Sequence, residues 1–273
     1  LVEMSNNGID TTVSGHQFTF YANLAVSEIY PTNGPEAGFT SVRIVGLHFI
    51  QSSTIMCKFG NVKTKVLEFI SSSEIVCMSP PSPTGGVTWS VPVEVSNNNL
   101  TFSGNGVRFT YDPRAIVLAI TPSSGYDKGG SRVMVYGSNF QNYPTLSCTF
   151  GSVEVPAYFI SRTEIECISP PHPARAVLLE ISLNGFDYSF SQQVYNYIEP
   201  PTVEKIWPLS GPGFSGGTLL TVTGGGFVNS QHLLCRFGQI IMPAAYISDS
   251  SISCRSPPGQ PGLVSFEVST NAI

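Results

Sequence analysis

The six cysteines have the widest chemical scope in this 273-residue chain, since a thiolate can cross-link, bind metal or act as a nucleophile. They follow one pattern used three times. Cys57-Lys58-Phe59-Gly60 leads to Cys77-Met78-Ser79-Pro80-Pro81, Cys148-Thr149-Phe150-Gly151 to Cys167-Ile168-Ser169-Pro170-Pro171, and Cys235-Arg236-Phe237-Gly238 to Cys254-Arg255-Ser256-Pro257-Pro258. Zinc is the rival use, but no pair has a partnering Cys-x-x-Cys or a histidine pair at metal spacing. Each copy must fold alone, so the expected pairing is Cys57–Cys77, Cys148–Cys167 and Cys235–Cys254. Loops of this size stabilise by about 3 kcal/mol each in the chain-entropy picture. Disulfides imply an oxidising compartment, extracellular or cell-surface by way of the secretory pathway.

The remaining reactive residue types form no constellation. His16, His48, His172 and His232 fall at non-equivalent points of the copies and read as surface or loop residues. No Ser/His/Asp set can be assembled and Gly-x-Ser-x-Gly is absent. Gly224-Gly225-Gly226-Phe227 lacks the Gly-Lys-Ser/Thr ending of a phosphate loop and aligns with Gly46-Leu47-His48-Phe49, so it reads as a turn. Carboxylates are scattered without calcium-loop spacing. No enzymatic role, metal or cofactor is expected. Asn99-Leu100-Thr101 is the one Asn-x-Ser/Thr acceptor, placed in an Asn-rich, exposed loop, and makes Asn99 a candidate for N-linked sugar. The Ser-Pro-Pro triplets, whose plain role is to end strands, are candidates for O-linked sugar.

The elements that position these residues repeat as well. Each copy opens on a Pro-x-x-Gly segment (Pro31 to Gly34, Pro122 to Gly125, Pro208 to Gly211), where proline presets φ and glycine tolerates positive φ, which is turn chemistry. A strand closing on glycine follows, with Val42/Ile44, Val133/Val135 and Leu220/Val222 alternating against mixed positions. Period two marks one face on a core. Phe49, Phe140 and Phe227 stand three residues after that glycine. The blocks Phe69–Cys77, Phe159–Cys167 and Tyr246–Cys254 place an isoleucine and the second cysteine on one face, and the prolines then end the strand because they cannot donate to a ladder. Further strands are expected at Val91–Ser96 and Val107–Tyr111. Nothing reads as a long amphipathic helix.

The pattern overruns the three copies. Val2-Glu3-Met4-Ser5-Asn6-Asn7, ending in Phe18-Thr19-Phe20-Tyr21, resembles Val93-Glu94-Val95-Ser96-Asn97-Asn98, ending in Arg108-Phe109-Thr110-Tyr111. Phe266-Glu267-Val268-Ser269-Thr270-Asn271 begins the same run. The expected division is 1–24 as the C-terminal tail of a preceding repeat, 25–112 and 113–199 as full repeats, and 200–273 as a repeat truncated before its last strand. The chain therefore reads as cut from a longer array. Linkers such as Asp112-Pro113-Arg114 and Ile198-Glu199-Pro200-Pro201 are short and proline-rich, favouring a semi-rigid rod.

Composition narrows the function classes. Charged residues make up 11% of the chain, against a usual ~25%, and the deficit is filled by Ser, Thr, Asn, Gly and Pro. A net charge of −5 argues against nucleic-acid binding, which needs a basic stripe, and against attachment to anionic membranes. No apolar run approaches a membrane span, so no direct membrane insertion is expected within these residues, and the N-terminus does not read as a signal peptide.

Taken together, Pro-x-x-Gly, Gly-x-x-Phe, Cys-x-Phe-Gly and Cys-x-Ser-Pro-Pro resemble the IPT/TIG family, the immunoglobulin-like domains of plexins, related receptors and some transcription factors. The resemblance covers nearly the whole chain, and the cysteines resemble the cell-surface branch, as in plexins and fibrocystin-like proteins. It implies an all-β fold of tandem immunoglobulin-like β-sandwich domains. The function expected is a structural or adhesive extracellular stalk or fibre, with the stalk of a plexin-like receptor ectodomain as the alternative. Partners would be proteins: neighbouring repeats, further copies of the chain or other cell-surface proteins. Tyr126, Tyr143, Phe186, Tyr188 and Trp89 vary between copies and are candidate contact aromatics.

Overall fold

The computed structural model describes residues 2–13, 15–230 and 232–270. Residue 1 of the tail 1–24 and Asn271, named above, lie outside them. The chain divides into two compact units, Leu1–Arg114 and Ala115–Ile273. The first holds one β-sandwich domain and the second holds two. Among the described residues there is no helix.

In the first domain the strands are β1 (Ala25–Tyr30), β2 (Asn33–Pro35), β3 (Ser41–Leu47), β4 (Met56–Phe59), β5 (Val62–Ser71), β6 (Glu74–Met78), β7 (Trp89–Ser96) and β8 (Arg108–Asp112). One layer runs β1-β3-β6-β5 and the other β5-β4-β7-β8-β2. Strand β5 serves both layers, pairing with β4 through Val62–Lys65 and with β6 through Val66–Ser71. A strand that changes layers this way turns a corner of the sandwich. Most pairs are antiparallel, but the short β2 lies parallel to β8.

The second domain repeats the plan with β9 (Ile116–Thr121), β10 (Ser124–Tyr126), β11 (Arg132–Ser138), β12 (Ser147–Phe150), β13 (Val153–Ser161), β14 (Glu164–Ile168), β15 (Ala176–Ser182) and β16 (Val194–Ile198). The third has six strands: β17 (Thr202–Trp207), β18 (Leu219–Gly225), β19 (Leu234–Phe237), β20 (Ile240–Ser248), β21 (Ser251–Arg255) and β22 (Phe266–Ser269). The corner-turning strands β13 and β20 carry Pro156 and Pro243 where they leave their first partner. A residue without an N–H is tolerated where pairing changes hands.

The alternating pattern read from sequence is the pattern of burial. Val42, Ile44, Ile75 and Cys77 are buried while Arg43 and Val76 between them are not. Phe49, Phe140 and Phe227 are all buried in their cores. In the first two domains the last strand completes the core with a pair of rings, Phe109 and Tyr111 or Tyr195 and Tyr197. The third core is smaller and holds Val222, Phe227, Leu233, Ile252 and two cysteines.

The Pro-x-x-Gly segments differ from expectation in one respect. The prolines follow cis peptide bonds, and none of Gly34, Gly125 and Gly211 takes a positive φ. What excludes a side chain there is proximity. A Cβ on Gly34 would stand 2.2 Å from Thr40 Oγ1 and 2.9 Å from the Phe109 ring, and one on Gly125 would stand 2.0 Å from the Tyr195 hydroxyl.

Candidate functional site

The most constant local feature is the stapled pair of layers. Cys57 on β4 is bonded to Cys77 on β6, Cys148 on β12 to Cys167 on β14, and Cys235 on β19 to Cys254 on β21. All six are buried, so each bond crosses a core from one layer to the other. Directly after the second cysteine, the serine of Ser-Pro-Pro has a structural task. The Oγ of Ser79, Ser169 and Ser256 accepts the backbone N–H of Thr40, Ser131 and Thr218 respectively, at 3.0 to 3.1 Å. Ser79 and Ser169 are buried, which leaves no room for a sugar on those two hydroxyls.

Asn99 lies in the loop between β7 and β8 with φ 60°. It is half-buried, and both its backbone oxygen and Oδ1 accept from Lys63 Nζ at 3.0 Å. Leu100 and Thr101 beside it are exposed. The loop is thus open, but the asparagine itself is tethered more closely than its position implied. The tether engages Oδ1, whereas a sugar would join Nδ2.

His172 corrects the surface reading given to the histidines. It is buried and stacked on Tyr197, with ring centroids 4.9 Å apart. Its Nε2 lies 3.3 Å from Arg175 and its Nδ1 2.9 Å from the Pro173 carbonyl. Both ring nitrogens are occupied by structural contacts. His16, His48 and His232 are exposed. Among the described residues no group of three or more His, Cys, Asp or Glu is placed to hold a metal ion.

Charge is used in cross-strand pairs. Arg43 grips Glu74 with two bonds of 2.6 and 2.8 Å, and Lys58 meets Glu94 at 2.5 Å. Arg132 meets Glu166 at 2.9 Å, and Arg236 pairs with Glu267. The Arg43 hydrogen bond holds the Glu74 carboxyl below the usual carboxylate range, but the pair is solvated and contributes little to stability. These are sheet-face pairs with no convergent geometry for catalysis.

Among the contact aromatics, Tyr126 has a partner in the neighbouring domain. Its hydroxyl accepts the backbone N–H of Thr270 at 3.2 Å and lies 3.5 Å from Thr270 Oγ1. The Thr270 carbonyl in turn accepts from Ser230 at 3.1 Å. Trp89 and Phe186 remain about half exposed, and Tyr143 packs against the second core.

The third domain carries a cleft of about 680 Å³. One wall is Ser210-Gly211-Pro212 and the other Gly262-Leu263-Val264, with Phe237 at its base.

Comparison with known proteins agrees with this architecture. The IPT/TIG domain family matches residues 24–111, 115–197 and 201–272. The chain belongs to the IPT/TIG family. The resemblance carried by Cys-x-Phe-Gly and Cys-x-Ser-Pro-Pro is therefore borne out, as is the all-β, immunoglobulin-like fold. Among curated relatives, fibrocystin-L from Homo sapiens is 28% identical over 66% of this IPT/TIG chain and 4% of its own length. Plexin-A2 from Homo sapiens is 34% identical over 58% of this chain and 8% of its own length. The chain thus spans a small part of the relatives it matches. Of solved structures, the plexin A4 full extracellular region aligns with 92% of this chain and 23% of its own, at 19% identity and a TM-score of 0.47.

Proposed function

We propose that this chain is a run of stalk domains from an extracellular or cell-surface protein, in which consecutive IPT/TIG units act as spacers and protein-contact surfaces. The observation that carries this reading is three domains joined by minimal linkers. Three residues, 113–115, lie between β8 and β9, and three, 199–201, between β16 and β17. Short proline-containing joints transmit orientation from one domain to the next instead of dissipating it. The buried disulfides suit an oxidising compartment, and the relatives are plexins and fibrocystin-L.

We bound the units as 25–112, 113–199 and 200–273, with 1–24 as the C-terminal tail of another repeat. Contact through sheet faces and edges is the chemistry proposed for the array. Asn99 is the proposed N-glycan site, tested by expression through a secretory pathway and mass comparison with Asn99→Gln. A mass difference of a glycan supports it, and identical behaviour removes it.

A fibre or adhesive role is the finer version, in which further copies of the chain are the partners. Electron microscopy of the native material separates the two. Isolated rods ending in a membrane anchor support the receptor stalk, and ordered filaments support the fibre. Compact particles with the three domains collapsed together would overturn both.

A further inference from the structure

We propose that an outer sheet face of the first domain docks on the equivalent face of the second domain in another copy of this chain, lysine against glutamate. The inference rests on the proposed role of these domains as protein-contact surfaces, and it names the partner. Register identifies the two faces strand by strand. In the first domain Lys63, Lys58 and Glu94 stand side by side on β5, β4 and β7. In the second the same row reads Glu154, Thr149 and Glu180 on β13, β12 and β15. The flanking Cys57, Phe59, Cys148 and Phe150 belong to the cores, so both rows point away from them.

The basic face is built against its own stability. Lys58 and Lys63 are directly opposed, and like charges so placed repel. Both ammonium groups crowd the Phe102 ring, at 4.4 and 5.2 Å from its centroid. Glu94 answers Lys58. Lys63 reaches the two Asn99 oxygens, which are uncharged, and Lys65 stands exposed two residues further along β5. Among the described residues neither Lys63 nor Lys65 meets a carboxylate.

The second domain has the opposite imbalance. Glu154 accepts from the Ser147 hydroxyl at 2.5 Å, and Glu180 from the Ser189 hydroxyl at 2.6 Å and the Ser191 N–H at 2.8 Å. Among the described residues neither glutamate meets a cation. In the third domain the row is Ile241, Arg236 and Glu267, and its two charges neutralise each other. On this face, then, the charges left over are cations in the first domain and anions in the second, at equivalent places on one ladder. Apolar groups accompany them. Leu100, beside Asn99, is 83% exposed; Phe190, between the two serines that hold Glu180, is 84% exposed. Laying one face on the other pairs the charges and covers these side chains. A face of four strands, each about five residues long, measures roughly 300 Å². That is well short of the ~800 Å² per partner of a stable complex. A single contact is therefore weak, and repetition along aligned stalks multiplies it.

The test is sedimentation velocity of the 273-residue chain over a concentration series at low salt. The protein is made in the bacterial periplasm, where disulfides form and no N-linked sugar is added at Asn99. Lys63→Glu and Glu154→Lys exchange the charges at equivalent positions. Both side chains are exposed, so the variants are expected to fold, which circular dichroism checks. The expected result is concentration-dependent association of the parent chain that weakens at high salt. It should be lost in each single variant and return in the double variant Lys63→Glu/Glu154→Lys. A parent chain that stays monomeric, single variants that associate like the parent, or a double variant that does not associate would each overturn the proposal. A monomeric parent retained on heparin, with retention lost in Lys63→Glu, would overturn it in favour of a sulfated polysaccharide as the partner of the basic face. The stalk reading is decided separately, by the shape of the native material under the electron microscope.

Discussion

The hydroxyl of Tyr126, at the end of β10 in the second domain, accepts the backbone N–H of Thr270, just past β22 in the third. Thr270 is buried although it follows the last strand of its sheet, and Ser230 holds its carbonyl from the other side. A single phenol thus fixes the end of one domain against the side of the next. Proline occupies the position of Tyr126 in the other two copies, Pro35 and Pro212. The contact therefore belongs to this junction and is not part of the shared repeat.

Tyr126→Phe removes that acceptor and keeps the ring. The Thr270 amide should then exchange with solvent faster, and the coupling of the two domains should weaken by about 1 kcal/mol, the net worth of one hydrogen bond. Hydrogen exchange followed by NMR reads this directly, with the Val133 and Ile165 amides in the second core as an unaffected internal reference.

Removing one staple should weaken one domain. Cys148→Ala/Cys167→Ala frees a loop of sequence separation 19 and should destabilise the second domain by about 3 kcal/mol. Denaturant unfolding should then show one transition moved to lower concentration while that of the first domain stays in place.

Gly60 has φ 61°, and a Cβ there would stand 3.2 Å from Val91. Gly60→Val forces a β-branched residue into the left-handed region, where an L side chain costs about 1 to 2 kcal/mol before any clash is counted. The first domain should melt several degrees lower. An unchanged melting temperature would show that the turn can re-form with negative φ.

Alkali should unfold the first two domains through their buried phenols. Burial raises Tyr111 well above its ordinary value of 10.0. Burial first, and then the neighbouring Tyr195, raises Tyr197 likewise. The buried Tyr111 and Tyr197 hydroxyls have no hydrogen-bond partner. The folded state therefore holds these protons more tightly than the unfolded chain does. Their contribution is fully present below pH 10.0 and is lost as pH rises through the window between the unfolded and folded values. Absorbance titration should show a cooperative step of tyrosine ionisation when the domains open and expose these two phenols.

Much of this fold is readable in the chain because the same local problem is solved three times. Alternation at Val42/Ile44 is ambiguous alone, but Val133/Val135 and Leu220/Val222 repeat it in register with a following glycine and phenylalanine. Local chemistry also marks the strand ends, where Ser-Pro-Pro halts pairing. What escapes the sequence depends on partners distant along it. Gly34 reads as a turn glycine, yet the ring that excludes its side chain is Phe109. His172 reads as a loop residue, yet Tyr197 covers it.

The position of the disulfides has a mechanical meaning. Tension along the chain enters the second domain at β9 and leaves at β16, and both strands lie outside the segment closed by Cys148 and Cys167. If such a domain is pulled open, the residues between the cysteines cannot pay out. Its gain in length falls short of a reduced domain's by about 60 Å, given roughly 3.4 Å for each extended residue. Each oxidised unit is therefore a short-stroke spring with a locked coil, and reduction would convert it into a long one.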